Sequence, residues 1–226
     1  QDRNEELLGH KPFLVIADYL TKNGIAVLRF DDRGIAQSTG DHSNATSEDF
    51  ARDVLAAVEF LKDRKEIDKT KIGLIGHSEG GIIAPLAAIK SNDVAFIVMM
   101  AGLGIPGDSI LYLQGELIQR AEGISEEEIL KSVKIQKDLF SIVKNSSDDE
   151  MLKKELRDKF YAEYSTMTDE EKSKLGDPEV YINMQINTIA SPWFKYFLRF
   201  DPAPVLEKVK CPVLALNGEK DLQVPP

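Results

Sequence analysis

The stretch Lys71-Ile72-Gly73-Leu74-Ile75-Gly76-His77-Ser78-Glu79-Gly80-Gly81 decides the fold of this 226-residue chain. It begins as a short apolar run, the pattern of a buried strand, and continues into small residues typical of a helix. The Gly-x-Ser-x-Gly motif between them predicts a sharp strand-to-helix turn that exposes the serine hydroxyl. We expect this turn to need glycine at Gly76 and Gly80, because its backbone crowds the preceding strand.

The central serine of this turn is a candidate nucleophile. A serine hydroxyl reacts only when it is exposed, held next to a base and placed near donors that stabilise an oxyanion. The backbone N–H of Glu79 and the positive end of the following helix face such an oxyanion. Ser78 is therefore the predicted nucleophile, and the Glu79 N–H the predicted oxyanion donor. The alternative interpretation is a glycine-rich turn that only packs a helix on a sheet.

Strand and helix patterns alternate on both sides of this turn. The alternation predicts an α/β fold with a doubly wound, mostly parallel sheet and right-handed crossovers. The predicted strands are Ile25–Phe30, Ile72–Ile75, Val94–Ala101 and Val213–Leu216, and the predicted helices of this part are Lys11–Asn23, a run opened by Thr46 and Asp49 at capping-box spacing, and Gly80–Ile89.

A long segment between the last two predicted strands, Gly102 to Pro212, interrupts this alternation. A crossover needs only about a dozen residues. Each helix signal in the segment is compatible with a solvated helix, but together they predict a helical cap over the strand ends, where such sheets bind ligands. The domain prediction is an α/β core in 1–104 and 191–226, with the cap inserted at 105–190. The helix signals are the pairs Ser125/Glu128, Ser147/Glu150 and Thr168/Glu171 at capping-box spacing, and Asp177-Pro178.

Composition and charge exclude several functional classes. The 28 Lys and Arg against 38 Asp and Glu give a net charge of −10, which argues against nucleic-acid binding. The longest uncharged apolar stretch, Val94–Pro106, is too short to span a bilayer. No cluster has metal-ligand spacing and no glycine-rich stretch matches a phosphate loop, so we expect neither a metal nor another cofactor. The compartment, cytoplasmic or exported, and the oligomeric state stay open.

Several motifs together resemble one known family. They are Asp31-Asp32-Arg33-Gly34, Gly76-His77-Ser78-Glu79-Gly80-Gly81, Ser191-Pro192-Trp193-Phe194, Asp201-Pro202, and Cys211-Pro212-Val213-Leu214 leading to Gly218-Glu219-Lys220-Asp221. They resemble the α/β-hydrolase superfamily, nearest the serine-aminopeptidase-like hydrolases and EstD-type carboxylesterases. The resemblance implies that Ser78 is the nucleophile and Asp221 the triad acid, with Glu219 as a nearby competitor. One departure is Ala36, which stands where the family often has the second glycine of the loop after its first strand.

The resemblance also implies a histidine that this sequence does not contain. The family order is Ser, then Asp or Glu, then His. The three histidines, His10, His42 and His77, all precede Asp221. His77 is expected to have a structural role beneath the turn, and the other two to lie on the surface. We therefore expect the catalytic histidine beyond Pro226 and a chain truncated at both ends, which alone would be inactive and poorly folded.

Two further groups of side chains have both a functional and a structural interpretation. Arg33 could contact substrate, but a salt bridge that fixes its loop is favoured. The aromatic residues Trp193, Phe194, Phe197 and Phe200 could line an acyl pocket, but packing of the cap is favoured.

The resemblance and the turn together predict a serine hydrolase that acts on carboxylic esters through a covalent acyl-enzyme, with a small-molecule ester as substrate. Two alternatives stay open. One is a peptidase or acyltransferase of the same fold, and the other is a non-catalytic binding protein of that fold.

Overall fold

The structure, a computed structural model, describes residues 1–226 and contains three β-strands and ten α-helices. The strands are β1 (Gly73–His77), β2 (Phe96–Met100) and β3 (Val213–Leu216). The helices are α1 (Pro12–Lys22), α2 (Ser47–Lys62), α3 (Gly80–Ala88), α4 (Gly107–Ala121), α5 (Glu126–Asn145), α6 (Asp149–Thr166), α7 (Asp169–Leu175), α8 (Pro178–Ile189), α9 (Pro192–Arg199) and α10 (Ala203–Leu206). None of the helices is both long and apolar enough to cross a bilayer.

The three strands form one parallel sheet in the order β1-β2-β3. The strand register places His77 opposite Met100, and Met100 opposite Leu216, so all three strands end at the same edge. Helix α3 connects β1 to β2 and packs against both strands. These features confirm the predicted α/β class and three of the four predicted strands.

The fourth prediction, a strand at Ile25–Phe30, is wrong for this structure, which has neither helix nor strand there. A β-strand is defined by backbone hydrogen bonds to a neighbour, and an apolar β-branched run supplies only the side chains. Ile25 is 52% exposed, but Val213 of β3 is similarly exposed at 48%, so strand pairing rather than burial separates the two runs. The backbone donors and acceptors of the sheet lie instead along β1, β2 and β3.

Helix starts follow the predicted caps with one exception. Capping boxes open α2 at Thr46, α5 at Ser125 and α7 at Thr168, as predicted. The predicted Ser147 cap is wrong, because Asp148 caps α6 and its carboxylate accepts a hydrogen bond from the Met151 N–H at 2.7 Å. A carboxylate at the N-cap also interacts favourably with the positive end of the helix, which explains the one-residue shift.

The chain forms two compact units. The first comprises Gln1–Gly102 and Val205–Leu216, and it contains the sheet with α1, α2 and α3. Its core packs residues of α2 and α3 against the sheet: Val58, Ile72, Ala84, Val94, Ile97 and Met99.

The second unit comprises Leu103–Pro204 and Asn217–Pro226, and its regular secondary structure is helical. Its core contains Phe140, Val143, Leu152, Leu156, Phe160, Ile182, Ile186 and Leu198. The aromatic residues of α9 pack within this unit, where Trp193 stacks on Phe197 at 5.2 Å and Phe194 meets Phe140 edge to face at 5.5 Å. The assignment of 105–190 as a cap over the strand ends stays a prediction.

Candidate active site

Ser78 lies directly after β1 in a backbone conformation that is rare for a residue with a side chain. Its φ is 53°, in the left-handed region, which costs about 1–2 kcal/mol for an L-residue. Two hydrogen bonds hold it there: the Ser78 N–H donates to the Met100 carbonyl, and the Gly81 N–H donates to the Ser78 carbonyl, both at 2.9 Å. Strain of this kind at a turn from strand to helix is typical of an exposed nucleophile.

Two glycines make room for this turn. A Cβ on Gly76 would lie 1.9 Å from the carbonyl oxygen of Gly80, and a Cβ on Gly81 would lie 2.4 Å from the Cα of Gly102. A Cβ on Gly80 would meet no atom within 4 Å. The expectation of backbone crowding is therefore confirmed at Gly76. The same expectation is wrong at Gly80, where an added Cβ would have open space. Gly80 supplies the carbonyl that crowds Gly76, and the second close approach, between α3 and the end of β2, occurs at Gly81.

This difference between neighbouring glycines gives a paired prediction for stability. Gly76→Ala is expected to lower the free energy of unfolding by about 2–4 kcal/mol, because the new methyl must displace backbone rather than a flexible side chain. Gly80→Ala is the matched control. Its free energy of unfolding is expected to stay within about 1 kcal/mol of the wild-type value, since alanine is a better helix former than glycine and nothing blocks its Cβ. Urea denaturation followed by circular dichroism measures the free energy of unfolding of both variants. Equal stabilities would contradict the assignment of the crowded position to Gly76.

Glu79 joins the turn to the helix. It is the N-cap of α3, and its carbonyl accepts hydrogen bonds from the N–H groups of Ile82 at 2.8 Å and Ile83 at 3.0 Å. The peptide group that carries the Glu79 N–H therefore joins Ser78 to the first turn of α3. It lies at the positive end of this helix. The role of this N–H as oxyanion donor stays a prediction.

A second left-handed residue lies beside Ser78 at the end of β2. Ala101 has a φ of 49° and follows Met100, the strand partner of His77. The Ala101 N–H donates to the Leu216 carbonyl at 2.8 Å, which ties it to β3. The sequence pattern predicted no role at this site for Ala101 or Gly102. The only signal for them was the Ala-Gly pair that closes the apolar run of β2.

All three histidines are exposed, including His77, which was expected beneath the turn. His77 Nδ1 lies 3.5 Å from the Glu5 carboxylate, and the ring meets Phe13 edge to face at 5.9 Å, so its partners come from the N-terminal segment. His10 and His42 are exposed, which confirms the prediction of surface positions.

The candidate acid, Asp221, lies in a turn after β3 and is partly buried. Its Oδ1 accepts hydrogen bonds from the N–H groups of Gln223 at 2.9 Å and Val224 at 3.0 Å. Glu219, its competitor, is exposed. Ser78 belongs to the first unit and Asp221 to the second, and their pairing in one triad stays a prediction.

Arg33 fixes its loop to α2, as predicted. Its guanidinium donates to both carboxylate oxygens of Asp53, at 2.7 and 2.6 Å, and to the Asp49 carbonyl at 3.1 Å. The bidentate ion pair confirms the salt-bridge interpretation. In the same loop Ala36 adopts a φ of 46°, so the alanine at the usual glycine position takes the left-handed conformation that glycine adopts at less cost.

A buried carboxylate anchors the N-terminal segment to the same loop. Asp31 is buried and accepts hydrogen bonds from the Arg3 guanidinium at 2.9 and 2.6 Å and from the Arg3 N–H at 2.9 Å. The Gln37 N–H donates to it from within the loop at 3.3 Å. These hydrogen bonds hold the pKa of the Asp31 carboxyl well below its usual range.

The low pKa of Asp31 predicts part of the acid sensitivity of the fold. A carboxyl whose folded pKa is depressed stabilises the fold above its unfolded pKa, and this contribution disappears as the pH falls through the folded pKa. The free energy of unfolding should therefore decrease between about pH 5 and pH 2, and this decrease should be smaller in Asp31→Asn. Asp18→Asn, which removes an exposed pair with Lys22, is the control and should leave the free energy of unfolding at pH 7 almost unchanged. Denaturant titrations at several pH values measure the free energy of unfolding of each variant. Identical curves for Asp31→Asn and wild type would contradict the prediction.

A parallel sheet with a strained serine between strand and helix defines the α/β-hydrolase class. The chain belongs to the serine aminopeptidase (S33) family, whose model matches residues 11–174. This match confirms the resemblance stated from the sequence motifs.

Several curated proteins are similar to this chain at low identity. An uncharacterized 31.7 kDa protein of Escherichia coli is 26% identical over 213 residues, which are 93% of this chain and 67% of the relative. Esterase EstD of Thermotoga maritima is 29% identical over 118 residues, 52% of this chain and 28% of the esterase. Thiohydrolase aneE of Aspergillus aculeatus is 36% identical over 88 residues, 38% of this chain and 28% of that protein. The chain thus spans about two thirds of the length of the first relative and under a third of the other two.

Proposed function

We propose that this protein is a serine hydrolase that cleaves small carboxylic esters through a covalent acyl-enzyme. The observation that carries the proposal is the φ of 53° at Ser78, in a turn held by hydrogen bonds from β2 and α3. Such strain lowers stability, and it is retained where exposure of the side chain has a use. A turn that only packed a helix on a sheet would not need a non-glycine residue in this conformation.

The choice of esters rests on the family and its named relatives. The matched relatives include an esterase and a thiohydrolase, and both names describe acyl transfer from an ester or thioester to water. The acidic chain, with a net charge of −10, suits a neutral acyl substrate better than a polyanion.

The proposed reaction assigns each group one role. A general-base histidine takes the proton of the Ser78 hydroxyl while Oγ attacks the ester carbonyl carbon. The Glu79 N–H stabilises the oxyanion, and the alcohol leaves with the proton from the histidine. Water then attacks the acyl-enzyme by the same route, which releases the acid and restores Ser78. Asp221 orients the histidine and stabilises its charged form.

A substrate panel tests this proposal on the complete gene product that carries this sequence. Short p-nitrophenyl esters, an acyl thioester and aminoacyl anilides are compared by kcat/KM. We expect the esters to be turned over fastest. A preference for the anilides would instead support a peptidase, the candidate that the family description favours. Absence of both turnover and labelling by a fluorophosphonate would support a non-catalytic binding protein.

A further inference from the structure

A buried serine from another helix binds the side chain that follows the candidate nucleophile. Ser47, in the first turn of α2, is fully buried, and its hydroxyl donates to Glu79 Oε1 at 2.7 Å across 32 residues of sequence. The proposed reaction uses the Glu79 backbone and leaves this contact without a role. Hydrogen bonds from a buried hydroxyl to a carboxylate are short and directional, so the contact fixes the position of the Glu79 side chain.

The donor is itself held in place. The Asp49 carboxylate accepts hydrogen bonds from the Thr46 N–H at 2.9 Å and from the Thr46 hydroxyl at 2.8 Å, which fixes the start of α2 around Ser47. Arg33 binds the same turn through the Asp49 carbonyl and the next turn through Asp53. Ser47 therefore presents its hydroxyl from a rigid helix start rather than from a flexible loop.

The direction of the Glu79 N–H depends on how the peptide between Ser78 and Glu79 is oriented. On one side of this peptide lies the left-handed Ser78, and on the other the first turn of α3. A side-chain anchor on Glu79 limits the rotation of this peptide. We propose that Ser47 is a positioning residue, which orients the Glu79 N–H toward the oxyanion through its hydrogen bond to the Glu79 carboxylate. This inference rests on the proposed function.

The proposal predicts a selective loss in the chemical step. Ser47→Ala is expected to lower kcat by about tenfold and to change KM by less than about twofold, because an oxyanion donor acts in the transition state rather than on bound substrate. Complete removal of such a donor costs about 100- to 1,000-fold, and a misaligned donor retains part of its effect. Labelling of Ser78 by a fluorophosphonate should slow by a similar factor. Steady-state kinetics on a p-nitrophenyl ester and timed labelling measure both.

Variants at Glu79 separate positioning from a general effect on folding. Glu79→Gln keeps an oxygen that can accept from Ser47 and should have a higher kcat than Glu79→Leu, which removes the contact as Ser47→Ala does. In the Glu79→Leu background, Ser47→Ala should have no further effect, because the shared contact is already absent. Val58→Ala removes a buried side chain elsewhere in α2 and is the control: it should lower stability and leave kcat unchanged.

The outcomes distinguish this inference from the proposed function. Ester turnover that survives Ser78→Ala would overturn the proposed function. Turnover that needs Ser78 but keeps its kcat in Ser47→Ala would overturn the role of Ser47 alone, as would equal effects of Ser47→Ala in the wild-type and Glu79→Leu backgrounds. If Ser47→Ala does not fold, the Glu79 variants decide, and equal kcat values for Glu79→Gln and Glu79→Leu would overturn the inference.

Discussion

Replacing Ser78 by alanine is expected to reduce ester turnover by about 10⁶-fold and to abolish fluorophosphonate labelling, because both need the same activated hydroxyl. The fold should remain, since alanine has a similar size and can keep the hydrogen bonds of the Ser78 N–H and carbonyl. Kinetics and mass spectrometry of the labelled protein measure the two effects. Ser91→Ala, which changes a serine after α3 with a contact to Asp93, is the matched control and should keep full activity.

The strain at Ser78 adds a second measurement to this prediction. Ser78→Gly should be as inactive as Ser78→Ala, but it should be more stable than Ser78→Ala by up to about 1 kcal/mol, because glycine adopts a positive φ without the Cβ penalty. Turnover that persists in either variant would mean that the turn is only structural.

Asp221→Asn is expected to lower kcat by about 10⁴-fold while leaving the fold almost unchanged. The asparagine side-chain oxygen can still accept hydrogen bonds from the Gln223 and Val224 N–H groups, so the turn keeps both contacts of Oδ1. In the proposed triad, the substitution removes the negative charge that stabilises the histidine cation, and the tautomer of the histidine is no longer selected.

Glu219→Gln is the matched control for this prediction, since it removes a neighbouring exposed carboxylate. It should have close to wild-type kcat. A larger loss in Glu219→Gln than in Asp221→Asn would assign the acid to Glu219. Thermal unfolding of both variants shows whether any loss of activity comes from the fold.

Patterns that depend on local chemistry predicted the structure well. Thr46, Ser125 and Thr168 cap the helices as their spacing indicates. Caps are predictable because the donor and acceptor lie within a few residues of each other.

Features that depend on distant partners were harder to predict. The run Ile25–Phe30 has the side chains of a buried strand, but pairing needs a neighbour that residues 25–30 do not specify. The close approach at Gly81 depends on Gly102, 21 positions away in the chain, and the contact of Ser47 with Glu79 is equally non-local. The sequence motif identified the turn itself, whereas only the structure identifies the residues that hold it.

The contact between Gly81 and Gly102 has a consequence for how this protein could be altered. Where two backbones touch with no side chain between them, no exchange of side chains can widen or narrow the gap gradually: any substitution adds at least a methyl group. Laboratory evolution toward new substrates should therefore keep Gly76 and Gly81 constant. Libraries of variants should instead diversify surface segments, whose substitutions leave this backbone contact untouched.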